Sequence, residues 1–355
     1  MIQNQITIDK LAAIFQGGAF NFHFHVGIIK TFEKYNVWPD YIEAVSAGTL
    51  ASVFLAMRKT KELYALADRL VVEQHKMIWT SPFINEQSGQ ISVDTEAVLA
   101  HLGIKGNVGT IWQLVTNKKK VLKKAGDQLK KLPALADNTP LFELLKQHVK
   151  LADMAIPFRC RFVCYDTGDA VSVGPEDFDD DTEFCKALWA SATMPGFWAL
   201  IDSIRLKDGT VYRNCADGGV RDNSPIMSAV EYIDRDETPT HRWGAVAANC
   251  NNDFLPEHYD GKMNLLEAVG RTYSIIMNEM GVSDFKTFEL VNRIAQANGG
   301  TTTDGKKTYR YYNFSKIQPY ENELGNSLST DPKALRNRER LGKIHAEAYF
   351  AAQVA

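Results

Sequence analysis

Short apolar runs alternating with helix-like stretches predict an α/β fold, with a mostly parallel sheet covered on both faces by helices. Three observations carry that reading. Residues 11–15 (Leu-Ala-Ala-Ile-Phe) form a continuous apolar run that ends at Gly17-Gly18. Residues 41–45 (Tyr-Ile-Glu-Ala-Val) form a second short, mostly apolar run that ends at Ser46-Ala47-Gly48. The stretch between them has helical apolar spacing (Phe22, Val26, Ile29, Phe32), so residues 10–50 read as one βαβ unit.

The chain has 355 residues, 45% hydrophobic and 23% charged, which is enough for a large core. No convincing linker, internal repeat or low-complexity tract is present. A single domain over 1–355 is expected, its core at about 10–315, with a helical insertion or cap at about 60–135. The net charge of −3 gives no global pull toward nucleic acid. No apolar run reaches the roughly 18 residues of a membrane span, and the first residues lack the pattern of a secretion signal. Cys160, Cys164, Cys185, Cys215 and Cys250 are scattered and odd in number. They predict buried thiols in a reducing cytoplasm rather than a disulfide framework or zinc site.

In order along the chain, a strand is expected at 11–15, a helix at about 23–35, a strand at 41–45 and a buried helix over 47–57. Residues 61–148 read as mostly helical, with a helix start at Asn138-Thr-Pro140. A hairpin follows, 158–165 and 170–173, turning at Asp166-Thr-Gly-Asp169. Then come a helix at 184–192, a short strand at 211–214 ending at Asp217-Gly218-Gly219, a helix opened by Ser224-Pro225, and a strand at 243–248. Two helices at 265–280 and 285–297, a strand at 308–314 and a helix from Pro332 complete the pattern.

Three turns carry candidate chemistry, each at the C-terminal end of an expected strand, where sites form in open α/β sheets. A serine on a strand–turn–helix elbow can hold its hydroxyl exposed and strained. A glycine pair ahead of a helix can offer free N–H groups to an anion. The spacing from Gly18 to Ser46 suits one crossover, which sets the two turns side by side.

In their order, Gly17-Gly18-Ala19, Ala44-Val-Ser46-Ala-Gly48 and Asp217-Gly218-Gly219 resemble the patatin-like phospholipase family, which joins a glycine-rich oxyanion loop, G-x-S-x-G and D-G-G. His25-Val-Gly27, Ser191-Ala-Thr-Met-Pro195 and the extension to Asn223-Ser-Pro225 are similar too. The resemblance implies a three-layer α/β/α sandwich and a Ser–Asp dyad without histidine. Ser46 would be the nucleophile and Asp217 its base. N–H groups around Gly17, Gly18 and Ala19 would form the oxyanion hole, supported by the motif positions Ala44, Gly48, Gly218 and Gly219. It implies hydrolysis of carboxylic esters in phospholipids or related acyl lipids, with no cofactor and no metal. The chain departs from the family pattern at Ala44 and Ala19, where glycine is usual, at Asn21, where Arg or Lys is usual, and at Phe22. The methyl of Ala19 is expected to fit if φ is negative.

Rival readings use the same residues. A Ser-His-Asp hydrolase would draw on Ser46, Asp217 and His241, but Ser46 comes too early for that fold. A non-catalytic lipid- or protein-binding module on the same scaffold is the alternative to an enzyme. His23 and His25 read as packing or capping groups, and the acidic loop at 176–183 as a solvated turn rather than a cation site. Lys118, Lys119, Lys120, Lys123 and Lys124 surround an apolar stripe, which would suit peripheral contact with an anionic membrane.

Overall fold

The computed structural model describes residues 8–87, 90–101, 127, 134–235, 242–250, 265–320 and 323–354. Its centre is one sheet. β1 (Lys10–Phe15) lies between β2 (Tyr41–Val45) and β9 (Trp243–Ala248), with β12 (Asn313–Ile317) beyond β9 and β5 (Phe158–Cys164) beyond β2, all parallel. β6 (Asp169–Val173), β8 (Val211–Asp217) and β7 (Ile201–Arg205) continue it antiparallel.

β1 explains why its sequence is apolar throughout. Ala13 and Phe15 enter one core and Ala12 and Ile14 the other, so neither face sees water. The first core is covered by α1 (Phe22–Lys34), α2 (Ala47–Ala56), α5 (Thr139–His148), α6 (Asp181–Ser191) and α9 (Pro332–Val354), through residues such as Phe24, Leu55, Leu145, Phe184 and Leu341. The second is covered by α7 (Ile226–Ile233) and α8 (Leu265–Ala297), through Ile226, Phe285 and Phe288. Helices on both faces of a mostly parallel sheet make the α/β/α sandwich that the alternation implied.

The antiparallel strands bring the two ends of the candidate chemistry together. β6 occupies one edge of β5 from Cys160 to Cys164. β2 and β8 therefore share the other edge. β2 fills its first half up to the rung Val45↔Arg161, and β8 fills its second half from the opposite direction, ending at the next rung, Asp217↔Phe162. Two strands thus run head to head and stop against each other.

Several elements differ from expectation. The two helices expected over 265–297 are one, α8, because Gly281 is no stop. A Cβ there would lie 2.5 Å from Gln16 Nε2 and 3.3 Å from Ser224 Oγ, so its glycine permits close approach. The 308–314 strand splits into β11 (Thr308–Arg310), which pairs with β10 (Thr301–Thr303), and β12. At the break Tyr312 is buried and receives its partners from α8 and α7: its N–H donates to Asn292 Oδ1 and its hydroxyl to Asp234. Within 60–135, α3 (Thr60–Glu73) and α4 (Thr95–His101) flank an unexpected hairpin, β3 (Ile84–Gln87) with β4 (Gln90–Val93). The lysine segment 118–124 lies outside the described residues, as does His241. Among the described residues no helix is long and apolar enough to cross a membrane.

α1 and α9 cross at near-backbone contact. A Cβ at Gly27 would fall 2.1 Å from the Glu339 carbonyl oxygen, and one at Gly342 would fall 2.1 Å from that of Phe24. Backbone cannot retreat as a side chain can. Gly27→Ala is therefore expected to destabilise the protein by about 1–3 kcal/mol, despite alanine's better helix propensity. A lower midpoint in chemical unfolding checks it.

Candidate active site

Ser46 follows β2 directly and forms the cap of α2 with φ 54° and ψ −129°. For a residue with a Cβ this conformation costs about 1–3 kcal/mol and persists only when its neighbours over-determine it. They do so from three sides. The Ser46 N–H donates to Ser191 Oγ at 3.0 Å, and the same Oγ lies 2.9 Å from Thr49 Oγ1. The Ser46 carbonyl accepts from Thr49 N–H at 2.9 Å, beginning the helix. Gly48 presses on the end of β1, where a Cβ would sit 2.4 Å from the Phe15 carbonyl oxygen. The elbow's second glycine is thus a matter of contact distance. Ala44, at the first, is fully buried in the core with its methyl accommodated.

Ser46 Oγ donates to Asp217 Oδ2 at 2.6 Å. The other carboxylate oxygen, Oδ1, accepts from Gly219 N–H at 2.8 Å. Asp217 N–H is tied to the Thr193 carbonyl at 2.8 Å. Gly218 is required where the strands meet, since a Cβ would lie 2.5 Å from the Arg161 carbonyl oxygen and 2.9 Å from Val45 Cγ2. Beyond it, Asp222 is held to Arg161 Nη1 at 3.1 Å. Asp217 is only 4% exposed. Burial pushes its carboxyl up to about 7, while the hydrogen bonds from Ser46 and Gly219 pull the other way. A carboxylate so placed is a stronger base than one in water and exchanges its proton near neutral pH. Among the described residues no histidine hydrogen-bonds either side chain.

The glycine loop runs alongside. A Cβ at Gly17 would fall 2.4 Å from Asn223 Oδ1 and 2.9 Å from Ser46 Cβ, and one at Gly18 2.1 Å from Cys250 Sγ. Both glycines serve close approach, and Gly18, at φ 175°, is simply extended. The left-handed residue is Ala19, at φ 49°, so the negative φ under which its methyl was expected to fit is not the one adopted. Gly17 N–H is turned toward the Asn223 carbonyl, 3.4 Å away. Of the three expected donors, the Gly18 and Ala19 N–H groups are the two with no protein acceptor among the described residues.

Behind the loop, His25 Nε2 lies 2.8 Å from the Gln16 carbonyl. Burial lowers His25 to about 4, so the ring is neutral and Nε2 donates. His23, lowered by burial to about 4, holds the Ala67 carbonyl at 3.2 Å in the same way. Gln16 Nε2 donates to Ser224 Oγ at 2.8 Å. Asn21, buried at 3%, donates from Nδ2 to the Cys250 carbonyl at 3.3 Å. Gln16 and Cys250 support the site without having signalled it, since each is an isolated residue whose partner is remote in sequence, whereas Ser191 opens the similar stretch 191–195. The acidic loop is engaged locally: Asp177 accepts from Gly174 N–H and pairs with Arg159, and Asp180 caps α6 through Thr182 N–H.

A buried carboxylate is a liability to stability. With its folded-state value raised, Asp217 favours folding fully below its unfolded value of about 4, and that contribution is lost as pH rises through about 7. Asp217→Asn should therefore gain about 2–4 kcal/mol over wild type at pH 8 and almost nothing at pH 4. Unfolding measured across that range checks the widening gap.

A family model described as patatin-like phospholipase matches residues 13–230, a span that holds the glycine loop, Ser46 and Asp217. No curated protein matches the chain. Among solved structures, VipD from Legionella pneumophila is similar at a TM-score of 0.38 and 13% identity, over 96% of this chain and 67% of that one. The type III effector protein ExoU is similar at a TM-score of 0.33 and 11% identity, over 97% of this chain and 53% of that one. The chain thus spans about two thirds of the first structure's length and about half of the second's.

Proposed function

The chain belongs to the patatin-like phospholipase family, and from that premise we propose that it is a serine acyl hydrolase that cleaves carboxylic esters of phospholipids or related acyl lipids through a Ser46–Asp217 dyad. The observation that carries the reading is the 2.6 Å hydrogen bond from a hydroxyl held on a strained elbow to a buried carboxylate.

In acylation, Ser46 Oγ attacks the ester carbonyl carbon while its proton passes to Asp217. The new Oγ–C bond forms as the carbonyl π pair moves onto oxygen, and the Gly18 and Ala19 N–H groups receive that alkoxide. Collapse re-forms the carbonyl, breaks the bond to the leaving alcohol, and Asp217 returns the proton to it. Water then attacks the acyl-enzyme. Asp217 takes the water's proton and hands it to Ser46 Oγ as the fatty acid departs. One positioned base supplies ~10²–10⁴-fold, and each oxyanion donor a further ~10²–10³-fold. No histidine is needed, because burial has moved a carboxylate to about 7, where an imidazole would otherwise serve. Acyl-lipid substrate at a membrane surface is part of the same reading.

Ser46→Ala and Asp217→Ala should each remove hydrolysis of acyl esters while the fold survives, and a fluorophosphonate should label Ser46. Because the base must be ionised, kcat/KM should rise with pH through about 7 and then level off. Wild-type turnover that survives Ser46→Ala overturns the assignment. Lipid binding with no hydrolysis in wild type would favour the binding-module alternative.

A further inference from the structure

Residues 16–22, Gln-Gly-Gly-Ala-Phe-Asn-Phe, carry no charge of their own. A cation nevertheless reaches this loop from the far end of the chain. Arg338, on α9, is fully buried. Its guanidinium donates to four backbone carbonyls: Nη1 to Phe20 at 3.3 Å and to Ser329 at 2.8 Å, Nε to Leu324 at 3.0 Å, and Nη2 to Asn326 at 2.5 Å. Among the described residues no carboxylate forms an ion pair with it. The carboxylates nearest it in sequence have other hydrogen-bond partners, Asp331, just before α9, with Ala334 N–H at 2.9 Å and Glu339 with Lys30 at 2.7 Å and Lys343 at 2.9 Å, and Asp331 acts on Arg338 only through its charge. Burial lowers Arg338 to about 10, so it remains charged at neutral pH.

A buried cation with no ion-paired carboxylate among the described residues is costly in desolvation, and four carbonyl dipoles and the charge of Asp331 offset only part of that cost. Packing alone does not call for one here. A methionine or leucine would fill the space, as Leu335 does three residues earlier on the same face, packed with Phe20, Leu70 and Val71. What the guanidinium does that an apolar side chain cannot is hold carbonyls. Phe20 is gripped at both ends, its carbonyl by Arg338 and its N–H by the Ser327 carbonyl at 3.0 Å. The Asn326 and Ser329 carbonyls on either side of Ser327 are held by the same guanidinium. Arg338 thus ties the 324–329 loop and the glycine loop into one unit, with the left-handed Ala19 immediately before the gripped residue.

We propose that Arg338 is a positioning residue for the oxyanion site. It holds the Phe20–Asn21 peptide by its carbonyl, next to the Ala19–Phe20 peptide that Ser327 holds by its N–H, so that the Gly18 and Ala19 N–H groups face the reacting carbonyl, and it leaves a positive charge behind the loop on which the alkoxide forms. The inference rests on the acyl-hydrolase reading of the site. A fixed cation in a low-dielectric surround acts on developing charge without reorganisation, and a small displacement of donors costs a large factor in rate. The effect belongs to the transition state, so it appears in kcat and leaves KM unchanged.

The test compares wild type, Ser46→Ala, Arg338→Lys and Arg338→Met in hydrolysis of a p-nitrophenyl ester, with thermal unfolding of each. Arg338→Met should lower kcat about 10²-fold with KM unchanged. Arg338→Lys keeps the charge but loses the four-carbonyl grip, and should recover part of the loss. The inference is overturned if folded Arg338→Met keeps a kcat within about threefold of wild type, or if Lys does no better than Met at equal stability. Should Arg338→Met not fold, Arg338→Lys decides alone: a wild-type kcat overturns the inference, and a reduced kcat at unchanged KM supports it. Absence of Ser46-dependent turnover in wild type is a separate result that removes the acyl-hydrolase reading, and this inference with it.

Discussion

The shared edge of β5 is the constraint from which the site follows. A strand has two edges, and β6 takes one of them along Cys160–Cys164. β2 and β8 must divide the other, and they do so from opposite directions, stopping at neighbouring rungs. The residue after β2 is Ser46, and the last residue of β8 is Asp217. Their 2.6 Å contact is therefore set by backbone hydrogen bonding on both sides, with little left for side-chain rotamers to choose. Gly218 follows from the same geometry, because the chain must turn away over the Arg161 carbonyl with Val45 in van der Waals reach.

Such a junction concentrates unfavourable terms. Ser46 sits at positive φ, Ala19 does too, and Asp217 is buried with only neutral donors beside it. Each costs on the order of 1–4 kcal/mol, a large fraction of the stability of an ordinary domain. The surrounding fold offsets them by cross-links of long sequence reach: Ser191 on the Ser46 amide, Thr193 on the Asp217 amide, His25 on the Gln16 carbonyl, and Ser327 with Arg338 on Phe20. The neutral histidine is apt in this role. An imidazolium so deep would add another uncompensated charge, whereas the neutral ring gives one N–H to one carbonyl.

Much of this was legible in the sequence, and the remainder was hidden for identifiable reasons. Continuous apolarity at 11–15, and apolarity broken only by the buried Glu43 at 41–45, follow from double-sided burial, so those strands announced themselves. The turn residues named Ser46, Gly48, Asp217 and Gly218, because tight turns at strand ends restrict residue type. The direction of β8 was not legible: alternation along a strand does not record which neighbour it pairs with or in which sense. The break expected between 280 and 285 does not occur, since a glycine serving close approach and a glycine ending a helix are the same letter. Ala19 misled in the other direction, keeping a methyl in a conformation where glycine would be unstrained. Arg338 stood unnoticed in Arg336-Asn-Arg-Glu-Arg340, where the exposed Arg336 and the buried Arg338 differ only in helical phase.

That phase has a consequence for how the molecule is built. α9 lies far from the elbow in sequence, beyond the matched span 13–230. Yet it packs on α1 at near-backbone distance through Gly27 and Gly342, and α1 is the helix into which the glycine loop feeds. The loop is consequently held between an early strand and a late helix: its start hydrogen-bonds to β9 through Gln16 N–H and the Ala248 carbonyl, and its end rests on α9 through Arg338. Neither anchor alone determines the path of the two N–H groups between them. On the proposed reading, the core motifs set where Ser46 and Asp217 meet, while the path of the glycine loop also depends on a helix outside those motifs. An otherwise intact elbow would lose that geometry if α9 were displaced, because the strained turn at Ala19 would relax toward a conformation its methyl prefers.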